Sequence, residues 1–382
     1  MFKNLVIKLF FIVGILISCA SMKSFYAISK EKITNDALKD FYINVLILKT
    51  KDKVKISAAK PLVVKDQQID ACKEYIVFLK NDKICINNYI IGTPIVEIFS
   101  DDELIKINNK PYRGKVLLSK EDDNLIVINR VFFEKYLYGV LPAEVSPKWH
   151  KEVLKSQAVA ARSFALYNKL KTKNLYDLSD CVFSQVYSGY SSETKETNNA
   201  IDETAGEILV FNNEVIQAFF HANSGGKTEA AEDVWGGKLE YLKSIDDPYS
   251  IDQKNYKWSF AISFKELTAK LIKNNIVTDN IYDIKILNRT KSGRIEKIKI
   301  YTFKENVEIK GNNFRNYIGV DKIKSTNFSL QIKSDKVYFD GFGYGHGVGM
   351  SQEGAKKMAE TGKNYRDILY FYYRGTNIKK IY

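Results

Sequence analysis

For 382 residues the chain carries little cysteine and histidine, four and three respectively. The strands flanking the turn at Asn81-Asp82 put Cys85 opposite Phe78 or Leu79 rather than Cys72. A disulfide-built scaffold is therefore not expected. No His-Glu-x-x-His zinc pattern occurs, because His150 is followed by Lys151-Glu152-Val153-Leu154. Gly226-Lys227-Thr228 resembles the end of a phosphate-binding loop, but the glycine needed five places before Gly226 is replaced by His221. Internal repeats and low-complexity linkers are absent too. The net charge of +13 draws a protein towards polyanions. Its lysines are scattered, however, and no nucleic-acid-binding signature accompanies them, so nucleic acid is not an expected partner.

What is present begins at the N-terminus. Lys3 and Lys8 precede an uncharged run, Leu9 to Ala20. That length suits the core of a signal peptide, since a full span takes about 20 apolar residues. Including Leu5, Val6 and Ile7 across Lys8 lengthens it towards a membrane anchor. Leu16-Ile17-Ser18-Cys19 has the form of a lipobox, which would place a lipid on Cys19. Each reading sets residues 1–22 apart as a signal or anchor segment and exports the rest.

Hydrophobic residues make up 45% of the chain, enough for a sizeable core. The 24 Tyr and 22 Phe can fill that core or, at the surface, stack on flat rings. From 41 to 130 short alternating or apolar runs are separated by turn residues, which predicts β structure. The character changes at Leu141. Ser146 is placed to cap a helix with Pro147 in its first position, and Trp149, Val153, Ala160 and Phe164 recur at helical spacing. Glu144 then falls in the loop entering that helix. Further on, Asn212-Asn213 marks a hairpin, His221 ends a strand, and a loop with five alternating glycines surrounds His346 before a helix that Gly362 stops. Segregated strands and helices together predict an α+β fold of largely antiparallel sheets.

Two stretches could carry chemistry. The apolar neighbours of Glu144 disfavour its charged form, and a general acid near neutral pH needs a raised carboxyl pKa. His221 beside Ser224 invites a Ser/His hydrolase reading, although no Gly-x-Ser-x-Gly elbow or third member can be named.

Several long motifs, in order, resemble the SpoIID/LytB family of stage II sporulation proteins D. They are FFEKYLYGVLPAEVSPKWHKEVLKSQAVAARSFALY, SQVYSGY, AIDETAGEILVF, FFHANSGGKTEAAEDVWGG, YLKSIDDPYS and GFGYGHGVGMSQEGAKKMAETGKNYRDILYFYYRGT. The resemblance spans roughly 41–382 and implies a β-rich entry region over 41–130 and a catalytic region over 131–382. It also implies an exported lytic transglycosylase acting on peptidoglycan during sporulation, with Glu144 catalytic. The glycan groove would be lined from Gln185, Tyr187, His221, Ser224, Gly225, Gly226, His346, Ser351 and Gln352. Implied partners are glycan strands stripped of stem peptides, a cell-wall amidase and membrane sporulation proteins. A non-catalytic, amidase-enhancing role is the alternative. Some relatives resemble zinc binders through a His and two Cys before the Gln-Val-Tyr segment. Here Cys181 is present, Ser184 stands where a second Cys would be, and no His lies between 151 and 220. Neither a metal nor any other cofactor is expected.

Overall fold

The computed structural model describes residues 41–180 and 185–382. The segment 1–22 with Cys19, and Cys181 and Ser184, lie outside the described residues. Within them, no helix is long and apolar enough to cross a membrane.

The first layer is a large sheet. Its order runs Leu178–Ser179, Tyr42–Thr50, Asn124–Phe132, Lys115–Glu121, Ile95–Ser100, Val54–Val64, Cys72–Lys80, Lys83–Ile86 and Tyr89–Ile91. A hairpin of Leu104–Ile107 and Lys110–Arg113 branches from Val54–Val64. All neighbours are antiparallel except Leu178–Ser179, which pairs in parallel with Tyr42–Thr50. Alternation sets the register: Ile43 and Val45, or Val54 and Ile56, point to one buried face. The hairpin ending at Lys80 turns through Asn81 and Asp82, both at positive φ. It pairs Phe78 with Cys85, as the alternation required, and Cys72 and Cys85 are free thiols.

The second layer is helical. Helix α1, Phe133–Glu144, leaves the sheet directly from Phe132, and α2, Lys151–Lys171, follows after a short turn. Two expectations are corrected here. Ser146 and Pro147 form that turn and cap nothing; His150 is the N-cap of α2, its Nδ1 accepting from Glu152 N–H at 3.3 Å. Glu144 is the last residue of α1 rather than part of a loop. Helix α3 spans Lys195–Glu203. The central α2 serves two cores. Leu154, Ala158, Ala161 and Ala165 face the core shared with the sheet, while Val153, Val159 and Ala160 face a second core. Its small residues allow neighbours on both sides to approach closely.

The second core holds the hairpin strand Glu207–Phe211 and, after α4 (Ala231–Trp235), the C-terminal helices. Asn212 and Asn213 make that hairpin at positive φ. His221 does not end its second strand; that strand is Glu214–Val215, and Phe220–His221 instead pairs in parallel with Met350–Ser351. Between these comes a separate unit with its own core of Trp258, Leu267, Ile298, Phe314 and Phe339. It contains two three-stranded sheets and helices α5 (Phe264–Lys273) and α6 (Gly311–Ile318). Helices α7 (Gln352–Glu360) and α8 (Tyr365–Tyr372) follow, with Gly362 at φ 89° ending α7, and then a strand, Asn377–Lys380, pairs antiparallel with Glu207–Phe211. The architecture is α+β.

Candidate active site

Glu144 sits where α1 stops. The helix contains Gly139 and Pro142, both poor helix formers, but Leu137, Val140 and Leu141 are fully buried and packing overrides the propensity. Gly139 has a further use. A Cβ there would lie 2.6 Å from the Tyr187 ring, so only glycine lets the segment 186–189 close onto the helix. Ser188 N–H then donates to the Gly139 carbonyl at 3.0 Å, and Val186 N–H to Glu144 Oε1 at 3.1 Å.

The Glu144 carboxyl is partly buried, and among the described residues no cation pairs with it. Burial pushes its pKa above the ordinary glutamate value, against the opposing pull of Val186 N–H and the Gln352 side chain. The negative end of the helix dipole disfavours an anion at this position as well. Gln352 Nε2 donates to the Glu144 backbone carbonyl at 3.3 Å, tying the end of α1 to the start of α7.

From Gln352 the site continues into the glycine loop. Ser351 caps α7, its hydroxyl accepting from Gly354 N–H at 3.2 Å and from Ser224 N–H at 3.3 Å. Tyr344 and Asn223 exchange two backbone hydrogen bonds, and Glu229 N–H donates to the Gly347 carbonyl at 2.8 Å. The 223–229 and 343–349 loops therefore form one unit. Gly347, at φ 85°, would set a Cβ 2.6 Å from the Arg294 guanidinium, so the loop lies directly on that buried cation.

The two histidines are neighbours, with ring centroids 5.6 Å apart. His221 Nδ1 donates to the Val348 carbonyl at 3.1 Å, which leaves Nε2 as a buried acceptor without a partner. His346 Nδ1 accepts from Val348 N–H at 3.0 Å, so its proton resides on Nε2. Both are held below the usual imidazole range. Burial is the main cause in each case, with His346 and Arg294 contributing at His221 and Arg315 and Arg294 at His346.

The residues expected to line a groove divide by exposure. Gly225, Gly226, His346 and Glu144 reach the surface. Gln185 and Tyr187 do not. Both are almost wholly buried; Gln185 accepts from Tyr136 Oη at 3.0 Å, and Tyr187 Oη donates to Asn129 at 2.8 Å. They form a floor beneath Glu144 rather than a contact surface. Ser224, Ser351 and His221 are buried too, and Gln352 nearly so. Ser224 Oγ donates to Asp247 Oδ2 at 2.7 Å and lies 2.6 Å from Ser250 Oγ. Its hydroxyl is committed to a buried carboxylate, and the Ser224/His221 hydrolase reading loses its nucleophile.

Sequence reasoning singled out neither Asp247, which lies within the YLKSIDDPYS motif and also accepts from Tyr372 Oη at 3.1 Å, nor Arg294. Both work through contacts distant in the chain, and only an unusual buried charge could have flagged them. Three further carboxylates that could serve as a second acid, Asp202, Glu203 and Glu229, are engaged elsewhere. Asp202 accepts from Tyr138 Oη at 2.6 Å, Glu203 pairs with Lys155, and Glu229 accepts from Thr290 and Ser292 at 2.7 and 2.8 Å. Among the described residues, no group of three or more His, Cys, Asp or Glu is arranged to hold a metal. Two concavities, of about 260 and 350 Å³, involve other residues such as Lys238 and Leu242, or Tyr167 and Phe211. Glu144 lines neither.

Fold and site together define an α+β protein with a partly buried carboxyl, Glu144, that has no cation among the described residues and stands beside a glycine-rich loop. The family profile described as Stage II sporulation protein matches residues 121–211, and one described as Domain of unknown function (DUF8618) matches residues 238–349. A stage II sporulation protein D of Bacillus amyloliquefaciens is 31% identical over 80% of this chain and 96% of its own length. That of Bacillus subtilis is 30% identical over 66% of this chain and 76% of its own length. An uncharacterized protein of Brachyspira hyodysenteriae is 34% identical over 80% of this chain and 84% of that one. The chain belongs to the stage II sporulation protein D family. The Bacillus subtilis amidase enhancer is 31% identical over 63% of this chain, which spans 40% of that longer protein.

Proposed function

We propose that the chain is a sporulation-associated lytic transglycosylase that cuts the glycan of peptidoglycan, with Glu144 as its single acid/base. The observation that supports this reading is the environment of Glu144: covered enough to favour its protonated form, without a neutralising cation among the described residues, and open to the surface beside a glycine loop. A retaining glycoside hydrolase needs a second carboxylate about 5 Å away, and an inverting one about 6.5–9.5 Å. Asp202, Glu203 and Glu229 have other partners.

One carboxyl suffices for an intramolecular cleavage. Protonated Glu144 donates to the glycosidic oxygen leaving C1 of N-acetylmuramic acid. The resulting carboxylate then takes the proton of that sugar's 6-hydroxyl as its oxygen bonds to C1. A 1,6-anhydro ring forms, the chain breaks, and Glu144 is protonated again without consuming water. General acid–base assistance of this kind is worth roughly 10²–10⁴-fold. Exported, and anchored through residues 1–22, the protein would face glycan strands prepared by a partner amidase.

The test is mass spectrometry of products from denuded glycan treated with wild type and with Glu144→Gln. Anhydro-muramic ends from wild type alone are the expected result; reducing muramic ends would make the protein a hydrolase. The likeness to the amidase enhancer supports a second reading, in which the groove binds glycan and stimulates an amidase without cutting. In that case Glu144→Gln would stimulate a partner amidase as well as wild type does, and neither would release anhydro ends.

A further inference from the structure

We infer that Trp235 is the sugar-stacking floor of a glycan subsite set apart from the bond that is cut. Trp235 ends α4, and Gly236 follows at φ 85°, turning the chain away from the ring. One indole face lies on Phe219, with centroids 4.3 Å apart and planes 24° from parallel. His346 meets the indole at 5.2 Å and 58° and lies 5.9 Å from Phe219, so it borders the stacked pair and does not cover the far face. Even so, 50% of the residue is exposed, the most of any tryptophan here; Trp258 is buried and Trp149 partly so.

Phe219 is itself fixed. Its ring meets Phe164 edge-on at 5.6 Å, and its carbonyl accepts from Met350 N–H at 3.1 Å and Tyr373 Oη at 2.7 Å. The indole is thus held flat by a rigid partner while a broad face remains in water. A ring fixed on one side by a rigid partner offers its other face to a flat apolar surface without losing further side-chain freedom. A pyranose is the ligand that fits: its axial C–H face covers an indole, and its hydroxyls and N-acetyl group stay free in solvent.

Position supports the same ligand. Glu144 is bonded to Gln352, Ser351 pairs with His221, His221 adjoins His346, and His346 adjoins Trp235. This run of contacts links the carboxyl to Trp235 through the glycine loop without a direct contact between them, and the subsite assigned to Trp235 takes a unit of the strand other than the one attacked. The sugar class of the ligand rests on the proposed wall-glycan reading. The stacking geometry does not.

The test uses β-1,4-linked N-acetylglucosamine oligomers of increasing length, with Glu144→Gln as the parent so that nothing is consumed. Affinity should rise with length in the parent. Trp235→Ala should remove that rise, weakening the longest oligomer about tenfold, and Trp235→Tyr should restore part of it. The longest oligomer should also shift the parent's tryptophan emission to shorter wavelength, and Trp235→Phe should abolish the shift. Equal affinity of the parent and a folded Trp235→Ala variant for every length would overturn the inference. Product analysis is separate: absence of anhydro ends from wild type would defeat the proposed reaction while a length-dependent loss on Trp235→Ala left the subsite standing.

Discussion

The two ends of α1 carry a glutamate each, and they are treated in opposite ways. Glu134, in the first turn, is gripped by Arg162 through paired bonds of 2.8 Å, and Tyr382 Oη and Gly206 N–H also donate to it. It sits at the positive end of the helix dipole, where an anion is favoured. Glu144, in the last turn, has one backbone N–H on its carboxyl, no cation, and the negative end of the same dipole. A paired and buried carboxylate holds structure together. An unpaired one at the opposite pole can hold or release a proton. The helix separates the two tasks along its length.

Four measurements press on that contrast. Glu144→Gln should lower the rate of anhydro-end formation by roughly 10²–10⁴-fold, with an unchanged circular dichroism spectrum; residual activity within a factor of a few would remove Glu144 from the chemistry. At the other end, Arg162→Ala leaves Glu134 buried and unpaired, and should cost about 3–5 kcal/mol in denaturant unfolding. A loss typical of a surface site would show that the ion pair is dispensable.

The third measurement follows stability with pH. The folded-state pKa of Glu144 is raised, so the native state binds more protons than the unfolded chain between the ordinary glutamate value and the raised one. The Glu144 contribution to wild-type stability is therefore lost as pH rises through that window, a loss that Glu144→Gln lacks. The variant should melt above wild type at neutral pH, and the gap should close below the ordinary glutamate value; a gap that widens in acid would reverse the sign of the shift. The smallest effect belongs to Gln352→Leu. The Gln352 side chain pulls the Glu144 pKa down, so its removal should move the alkaline limb of the activity profile to higher pH. An unmoved limb would confine Gln352 to bracing the helix end.

The sheet was legible because short, strand-length runs of apolar and β-branched residues such as INVLILKT are separated by turn residues. Asn81-Asp82 and Asn212-Asn213 were legible because positive φ selects a short list of residues. Helix α1 was not. Gly139 and Pro142 read as breakers, and only contacts with the sheet and with Tyr187 keep that stretch helical. The apolar neighbours of Glu144 did announce a carboxyl with a raised pKa. The pairings of Glu134 with Arg162, or of Ser224 with Asp247, link positions whose spacing follows no local rule. Gln185 and Tyr187 stand close to Glu144 in space, yet burial makes them support rather than contact. Sequence order shows which segments meet, not which side chains face outward.

The bond between Gln352 and Glu144 joins residues 208 positions apart. The acid is laid down well before the loop and helix that frame it. A polypeptide interrupted between the two carries the carboxyl without its enclosure. Competence thus waits on residues 343–352, a safeguard suited to a protein whose proposed target is the wall that keeps its own cell intact.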